Sequence, residues 1–241
     1  EEADAAIHAC MVDKTFGDAG SVVVIEERLR GPELSILAIT DGENLAILPP
    51  AQDHKPIGDG DTGPNTGGMG AYSPVPIVDD VLLETVKKFV LEPAIRGMEL
   101  EGSPYSGVLY AGIMLCEDKP YVIEFNCRFG DPETQAVLPA IDIDLLPLLV
   151  AAAQGDLGES RVIPAAQNAL CVVMASAGYP GSYEKGRIIQ GLDTISDAVD
   201  DRAIVFHAGT TMSNDRVVTA GGRVLGVTGL GEDFDEAYEN A

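Results

Sequence analysis

Residues 122–135 read VIEFNCRFGDPETQ. Polar and apolar residues alternate in the first half of this stretch, which predicts a β-strand with Glu124, Asn126 and Arg128 in line along one face. Carboxylate and amide oxygens suit Mg²⁺, which usually shares its site with substrate phosphates. A guanidinium can hold a phosphate or a developing oxyanion beyond the metal. The stretch therefore predicts a metal and anion site, and the alternative is a surface strand with a solvated polar face.

The sequence on both sides supplies the elements that surround this strand. Its opposite face is expected to be apolar, with Tyr121, Ile123 and Phe125. Residues 107–116 predict a partner strand, joined to residues 120–126 through a turn at 117–119. Downstream, a Gly-Asp-Pro turn leads into two helical patterns, at 133–138 and 143–154.

The remaining pattern is mixed helix and strand. Upstream we expect a helix at 2–12, a β-branched strand at 21–27, a hairpin of 33–41 with 45–48, and a helix at 79–98 that Pro93 kinks or divides. Downstream we expect a linker at 155–164, strands at 169–175, 202–208, 216–219 and 222–230, a polar connection at 193–201 and a helix at 233–240. These elements predict an α+β fold in which a mostly antiparallel sheet with flanking helices precedes a smaller β-rich domain.

A long segment at 49–76 is dense in Gly, Pro, Asp, Asn and Thr. It is predicted to be a loop that clasps an anionic substrate, with Lys55 adding a cation and glycine N–H groups pointing at the ligand. The alternative is a flexible surface loop. Residues 58–63 read GDGDTG, the letters of a dinucleotide fingerprint, but no strand is expected before them and no helix after them. Asp59 and Asp61 would also repel a pyrophosphate, so that interpretation is rejected.

Composition limits the classes of partner. The formal net charge is −24, from 15 basic and 39 acidic residues, which argues against nucleic acid or an anionic membrane as the main partner. A local nucleotide pocket stays compatible with this charge. The four cysteines form no C-x-x-C pair, so a zinc site has no support and a reduced, cytoplasmic setting fits best.

The motifs together resemble the phosphoribosylamine–glycine ligase family of the ATP-grasp superfamily. The resemblance rests on 122–135, on 50–55 and on 61–74, with 24–33 similar to an adenine-side hinge. The sequences GYPG, HAGT and GGRVL, beginning at residues 178, 207 and 221, resemble motifs of the family's C-terminal domain. The resemblance implies three parts: the end of an ATP lid at 1–23, an ATP-grasp core at 24–158 and a truncated β-rich C-terminal domain at 165–241.

The resemblance also implies a reaction of purine biosynthesis. ATP phosphorylates the carboxylate of glycine to glycyl phosphate, and the amine of 5-phosphoribosylamine then displaces phosphate to give glycinamide ribonucleotide. Mg²⁺ or Mn²⁺ is implied at Glu124 and Asn126, and catalytic roles at Arg128 and Asp131. The implied ATP-binding residues are Glu26, Glu27, Leu29 and Glu33. The implied substrate-binding residues are Gln52, Asp53, His54, Lys55, Asn65, Gly67, Gly68, Met69 and Gly70.

The chain departs from the superfamily pattern at two places. Many ATP-grasp enzymes carry another metal-binding acid on the preceding strand, whereas residues 110–113 read YAGI, so the number of metal ions stays open. The family's N-terminal domain and glycine-rich lid are not found, so we expect a fragment that alone has negligible turnover, from a monomeric or fused purine-pathway parent. Two other hypotheses are a non-catalytic acidic module that binds metal or partners, and an oxidoreductase of the NAD type.

Overall fold

The computed structural model describes residues 2–192 and 202–241. The connection predicted at 193–201 lies outside the described residues. The chain divides into two compact units, Glu1–Arg30 and Gly31–Ala241. Each unit is described by itself below.

The first unit contains helix α1 (Glu2–Met11) and a 3₁₀ turn (Gly17–Ser21). The helix confirms the prediction for 2–12. The strand predicted for 21–27 was wrong, since residues 22–30 of the described chain form no strand. Val22, Val24 and Ile25 are 76–80% exposed. β-branched residues favour a strand through packing against neighbouring strands, and these three side chains lack that packing within their unit.

The second unit contains the following elements. Its strands are β1 (Glu33–Thr40), β2 (Leu45–Ile47), β3 (Gln52–Asp53), β4 (Pro56–Gly58), β5 (Thr62–Asn65), β6 (Gly70–Ser73), β7 (Gly107–Cys116), β8 (Lys119–Asn126), β9 (Asn168–Ala175), β10 (Ala203–His207), β11 (Thr210–Ser213), β12 (Arg216–Thr219) and β13 (Arg223–Gly231). Its helices are α2 (Asp80–Val86), α3 (Glu92–Leu100), α4 (Glu133–Val137), α5 (Leu145–Gln154) and α6 (Phe234–Asn240), with a π-helical segment (Lys87–Leu91) between α2 and α3. The predicted α+β class is confirmed.

The first sheet has the antiparallel order β2-β1-β7-β8, which confirms both predicted hairpins. The β7–β8 register shifts between Gly112 and Ile113, so Ile123 is an extra residue without a partner. Such a bulge interrupts the alternation of side chains. Tyr121 and Glu124 therefore share a face, and the simple alternation predicted from the sequence was wrong at this point.

Both faces of this sheet are covered by apolar side chains. Leu34, Ile36 and Ala38 pack with Leu91 and Ile95 of the helical segment that precedes β7. On the other face, a second cluster contains the buried side chains Leu37, Ile39, Tyr110, Val137 and Leu148. Each fully buried Leu or Ile contributes about 2 kcal/mol to folding. The division of the predicted helix at Pro93 is confirmed, because a π turn ends just before this residue, which lacks an N–H group.

The second sheet joins the end of the chain to the predicted substrate loop. Its order is β10-β13-β9-β6-β3, and all its pairs are antiparallel. The segment at 49–76 is therefore not a structureless loop, because it contributes β3 and β6 to this sheet and folds β4 and β5 into a separate hairpin. A strand does end at Gly58, contrary to expectation. The chain then returns as β5 rather than entering a helix, so a dinucleotide fingerprint still has no support.

The last part of the chain agrees closely with the sequence pattern. Strands β9, β10, β12 and β13 and helix α6 confirm the predicted elements, whereas β11, which pairs with β12, was not predicted. Among the residues that the structure describes, no helix is long and apolar enough to span a membrane.

Asp41 closes the β1–β2 turn. Its carboxylate accepts hydrogen bonds from the backbone N–H groups of Glu43 (2.9 Å), Asn44 (2.7 Å) and Leu157 (2.9 Å). Burial alone would raise the pKa of Asp41, but hydrogen bonds from Asn44, Glu43 and Leu157 outweigh it and lower the pKa to about 2. The turn is thereby tied to the chain that follows α5.

We expect Asp41→Ala to lower the free energy of unfolding by about 1–2 kcal/mol at pH 7, because three N–H groups lose their acceptor. A carboxyl with a lowered pKa stabilises the folded state above its ordinary pKa, so the difference should shrink as pH falls from about 4 to 2. Urea denaturation at a series of pH values measures it. Glu43→Ala, in the same turn, is the control; an Asp41 effect no larger than the Glu43 effect would contradict the prediction.

Candidate functional site

A polar patch lies where β1, β7 and β8 are side by side. Ser35 pairs with Gly112, and Gly112 pairs with Glu124, so these residues lie on one face of the sheet. Asn126, two residues along β8, donates from Nδ2 to Glu124 Oε1 at 3.0 Å. The two predicted metal ligands are therefore brought together at the open edge of the sheet, and the bulge at Ile123 precedes them.

Lys55 supplies the cation of this patch. Its ammonium forms an ion pair with Glu33 of β1 and lies 3.9 Å from Asp53 Oδ1. Burial alone would lower the pKa of Lys55, but the hydrogen bond to Glu33 and the charges of Asp53, Glu33 and Glu124 raise it. The short segment after β3 therefore places a permanent positive charge among acids of β1, β3 and β8.

Asp53 is the most buried acid that contacts Lys55. Its side chain is 4% exposed, and Oδ1 is a buried oxygen with no hydrogen-bond partner among the described residues. Burial raises the pKa of Asp53 to about 6, with the charge of Glu133 adding to the shift and that of Lys55 opposing it. Such an acid carries a proton over part of the range in which an ordinary aspartate is ionised.

A buried triad lies beneath the patch. Glu133 Oε1 accepts hydrogen bonds from Tyr110 Oη (2.8 Å) and Ser35 Oγ (3.1 Å), and these two hydroxyls are 2.8 Å apart. Burial, reinforced by the charge of Glu133, raises the pKa of Tyr110. The triad was missed from the sequence, although one of its hydroxyls belongs to Tyr110, the first residue of the YAGI stretch. The available signal was a Ser and a Tyr inside apolar strands, since buried polar groups need partners.

Gln52 and His54 both contact Tyr72, and each also contacts an acidic residue. Gln52 Nε2 donates to the carbonyl of Glu33 at 2.8 Å, and its Oε1 accepts from Tyr72 Oη at 2.5 Å. The His54 ring stacks on Tyr72, with ring centroids 6.1 Å apart, and its Nδ1 lies 3.1 Å from Asp61 Oδ1. Gln52 is thus fixed toward the patch, whereas His54 contacts the β4–β5 hairpin.

The glycine-rich loop is bonded within the protein. The N–H of Gly67 donates to Tyr179 Oη (3.1 Å), that of Gly68 to Thr66 Oγ1 (3.0 Å) and that of Met69 to the carbonyl of His54 (2.8 Å). The expectation that glycine N–H groups point at a ligand was therefore wrong for Gly67 and Gly68. Gly70 belongs to β6, and Asn65 ends β5 with its side chain exposed.

Arg128 and Asp131 lie beyond the end of β8. Because the strand ends at Asn126, the predicted alignment with Glu124 does not extend to Arg128, whose Nη1 donates to the neighbouring Phe129 carbonyl at 2.8 Å. Asp131 Oδ1 accepts from Gln135 Nε2 at 3.1 Å. Both side chains are exposed at the turn that leads into α4.

The four predicted nucleotide-binding residues are divided between the units. Glu33 is the first residue of β1 and contacts Lys55, so it belongs to the patch. Glu26 and Glu27 are exposed and Leu29 is half-buried near the end of the first unit. The structure describes that unit separately, so their relation to Glu33 stays a prediction.

The donor set suits a hard divalent cation. In the described ranges 2–192 and 202–241, no three His, Cys, Asp or Glu side chains converge on a possible metal position. Glu124 and Asn126 provide a carboxylate and an amide oxygen, and this is enough when the cation keeps water and substrate phosphates as its other ligands. The residues present therefore fit a metal that is held jointly with a phosphate-bearing substrate.

Two family models match segments of this chain. Residues 1–134 match the model of the phosphoribosylglycinamide synthetase ATP-grasp (A) domain, and residues 169–241 match the C domain of the same synthetase. The chain is similar to the crystal structure of a phosphoribosylamine–glycine ligase from Thermotoga maritima, with a TM-score of 0.79 and 36% sequence identity. The superposition covers 89% of this chain and 52% of the Thermotoga maritima chain. The fold is that of an ATP-grasp protein.

Curated relatives give the narrower assignment. The chain is 50% identical to a phosphoribosylamine–glycine ligase of Rhodopirellula baltica, with 98% of this chain and 54% of the relative covered. It is 52% identical to the trifunctional purine biosynthetic protein adenosine-3 of Gallus gallus, with 100% of this chain and 24% of the relative covered. The chain belongs to the phosphoribosylglycinamide synthetase family. It spans about half the length of the Rhodopirellula baltica ligase and about a quarter of the Gallus gallus protein.

We expect Asp53→Asn to raise the free energy of unfolding at pH 8 by about 1–2 kcal/mol and to leave it unchanged at pH 4. The folded state holds a proton on Asp53 between about pH 4 and 6 that the unfolded chain releases, so ionisation of this side chain costs stability as pH rises through that window. Urea denaturation at both pH values measures the difference. Asp59→Asn, at an exposed position of the β4–β5 turn, is the control. A gain that is the same at pH 4 and pH 8 would contradict the prediction.

Proposed function

We propose that this chain carries the metal and substrate site of an ATP-dependent ligase that joins glycine to 5-phosphoribosylamine. The product is glycinamide ribonucleotide, formed with ADP and phosphate in de novo purine biosynthesis. The observation that carries the proposal is the Glu124–Asn126 pair beside Lys55, in a chain whose two matched segments both belong to one synthetase family. The activity is proposed for a polypeptide of the length of its relatives.

Two displacements make up the proposed reaction. A carboxylate oxygen of glycine attacks the γ-phosphorus of ATP, and ADP leaves as glycyl phosphate forms. The amine of 5-phosphoribosylamine then attacks the acyl carbon, the C–O bond to phosphate breaks, and the amine loses a proton as the amide forms. Positioning and charge stabilisation supply most of the catalysis in such phosphoryl transfers.

The residues of the patch are assigned to these steps by charge and position. Glu124 and Asn126 would hold Mg²⁺ or Mn²⁺ on the phosphates, and the cation would offset the negative charge that opposes attack by a carboxylate. Arg128 is proposed to stabilise the acyl-phosphate oxygens, which requires its guanidinium to leave the Phe129 carbonyl. Asp131 is proposed to pair with the glycine ammonium or the incoming amine.

Other residues are proposed to gather the substrates. Gln52 donates a hydrogen bond to the Glu33 carbonyl, and Lys55 forms an ion pair with the Glu33 carboxylate. Asp53 Oδ1 lies 3.9 Å from the Lys55 ammonium. His54, Asn65 and the loop from Gly67 to Gly70 are proposed to bind substrate from the adjoining hairpin side. Adenine and ribose are assigned to Glu26, Glu27, Leu29 and Glu33.

We propose three functional parts along the chain. Residues 1–23 would be the end of the ATP lid, 24–158 the ATP-grasp core and 165–241 the C-terminal domain. The separate family matches at 1–134 and 169–241 support the distinction between the core and the C-terminal domain. The parts are not separate sheets, since β9 of the last part pairs with β6 of the core.

The proposed setting is the cytoplasm, with glycine and 5-phosphoribosylamine as partners and neither nucleic acid nor membrane. Four free cysteines support a reduced compartment, and the net charge of −24 opposes binding to polyanions. The relatives include single-function ligases and fused purine proteins, so the parent is proposed to be a monomeric ligase or one part of a fusion.

In the complete protein that contains this chain, Glu124→Ala and Arg128→Ala should each lower the rate of ADP formation by about 100-fold or more, because each removes charge stabilisation of the transferring group. The measurement is ADP release that requires both glycine and 5-phosphoribosylamine. The same assay should detect negligible turnover by the 241-residue chain alone.

Glu84→Ala and Arg96→Ala are matched controls, since both side chains are exposed on helices α2 and α3. These variants should keep full activity. Retention of wild-type activity by both Glu124→Ala and Arg128→Ala would remove the proposed site.

A further inference from the structure

Arg223 connects the C-terminal strands to the predicted substrate loop. It is the first residue of β13, and its Nη1 donates to the carbonyl oxygens of Gly67 (2.5 Å), Asp131 (2.7 Å) and Gly68 (3.3 Å). The same nitrogen lies 3.4 Å from Asp131 Oδ1. One guanidinium thus joins the glycine-rich loop to the turn after β8, two segments that are far apart in sequence.

The loop is shaped to admit this guanidinium. A Cβ atom on Gly67 would lie 3.1 Å from Arg223 Cζ, a contact tight enough to require a small shift of the guanidinium. Gly68 has a φ of +106°, and a Cβ there would overlap the ring of Pro132. Both glycines therefore serve the close approach of the loop to the 131–132 turn.

Arg223 is itself held in place by its neighbours in the C-terminal strands. Its carbonyl accepts from the N–H of Gly209 at 2.9 Å, and the preceding Gly222 carbonyl accepts from the N–H of Ser176 at 2.7 Å. The Tyr179 ring lies where a Cβ on Gly222 would be, and its hydroxyl accepts from the N–H of Gly67. The backbone of Arg223 is therefore fixed, and Tyr179 adds a second link from the C-terminal strands to the loop.

We propose that Arg223 is a positioning residue of the ligase: it holds Asp131 and the loop at 67–70 in the geometry that binds the amino-acid substrate. This inference rests on the proposed function. The carboxylate of Asp131 is about half exposed, so its ion pair with Arg223 contributes little to stability. The short bonds go to backbone carbonyls, and these fix where the turn places its side chain.

Loss of the hydrogen bonds from Arg223 should mainly lower kcat/KM for glycine. In the complete protein, Arg223→Met removes the charge and all donors at similar side-chain length, and should lower kcat/KM for glycine by about 100-fold, as expected for misplacement by about 1 Å. The KM for ATP should stay within about twofold of wild type. Arg223→Lys restores a charge and a donor nitrogen, so its kcat/KM for glycine should be at least about tenfold higher than that of Arg223→Met.

Amide hydrogen exchange in the same proteins gives a readout that is independent of turnover. Arg223→Met should speed exchange at 66–70 by about tenfold while β9 and β13 keep their protection, because local opening exposes a loop without melting its sheet. The control is Arg216→Met, an exposed arginine on the neighbouring β12, which should change neither kinetics nor exchange.

Two results would overturn the inference. One is unchanged exchange at 66–70 in Arg223→Met. The other is a loss of protection that spreads equally through β9 and β13 and is not recovered by Arg223→Lys, which would define a general structural role. A wild-type protein that forms no ADP with glycine and 5-phosphoribosylamine would refute the proposed function instead, and the exchange experiment would still decide whether Arg223 fixes the loop.

Discussion

The candidate site depends on the electrostatic attraction between the ammonium of Lys55 and the carboxylates of three acids, Glu33, Asp53 and Glu124. The chain carries a net charge of −24, and its candidate site gathers acids from three strands. Opposite charges about 4 Å apart attract by about 4 kcal/mol at the effective dielectric near a protein surface, so one lysine can offset much of this repulsion. Lys55 follows β3 of the second sheet and reaches β1 of the first, so charge compensation also holds the two sheets together.

The sequence correctly predicted the secondary-structure elements that depend on residues close together in the chain. The β7–β8 hairpin and the break at Pro93 follow from alternation and from a missing N–H group, and both are confirmed. The strand expected at 21–27 failed because β-branched residues need a neighbouring strand. The strands within 49–76 were missed because each has only two to four residues and is defined by its partner. The bulge at Ile123 likewise depends on the register with β7.

Local sequence patterns predicted the part of the candidate site whose residues are close in sequence. Glu124 and Asn126 are two positions apart on one strand, and the structure brings them together as expected. The triad of Ser35, Tyr110 and Glu133 joins residues 75 and 98 positions apart, and no local pattern reports such pairing. Roles for the other site residues follow from family resemblance and stay predictions.

The position of β9 between β6 and β13 makes the two family modules depend on each other. Either module alone would expose the hydrogen-bonding edge of a strand, and such edges promote misassembly. A gene split between β6 and β9 would therefore separate two strands that pair in the intact chain, so that the two halves could reassemble by strand addition. Each module would still need the other to cover its exposed strand edge, whether the two are encoded together or apart.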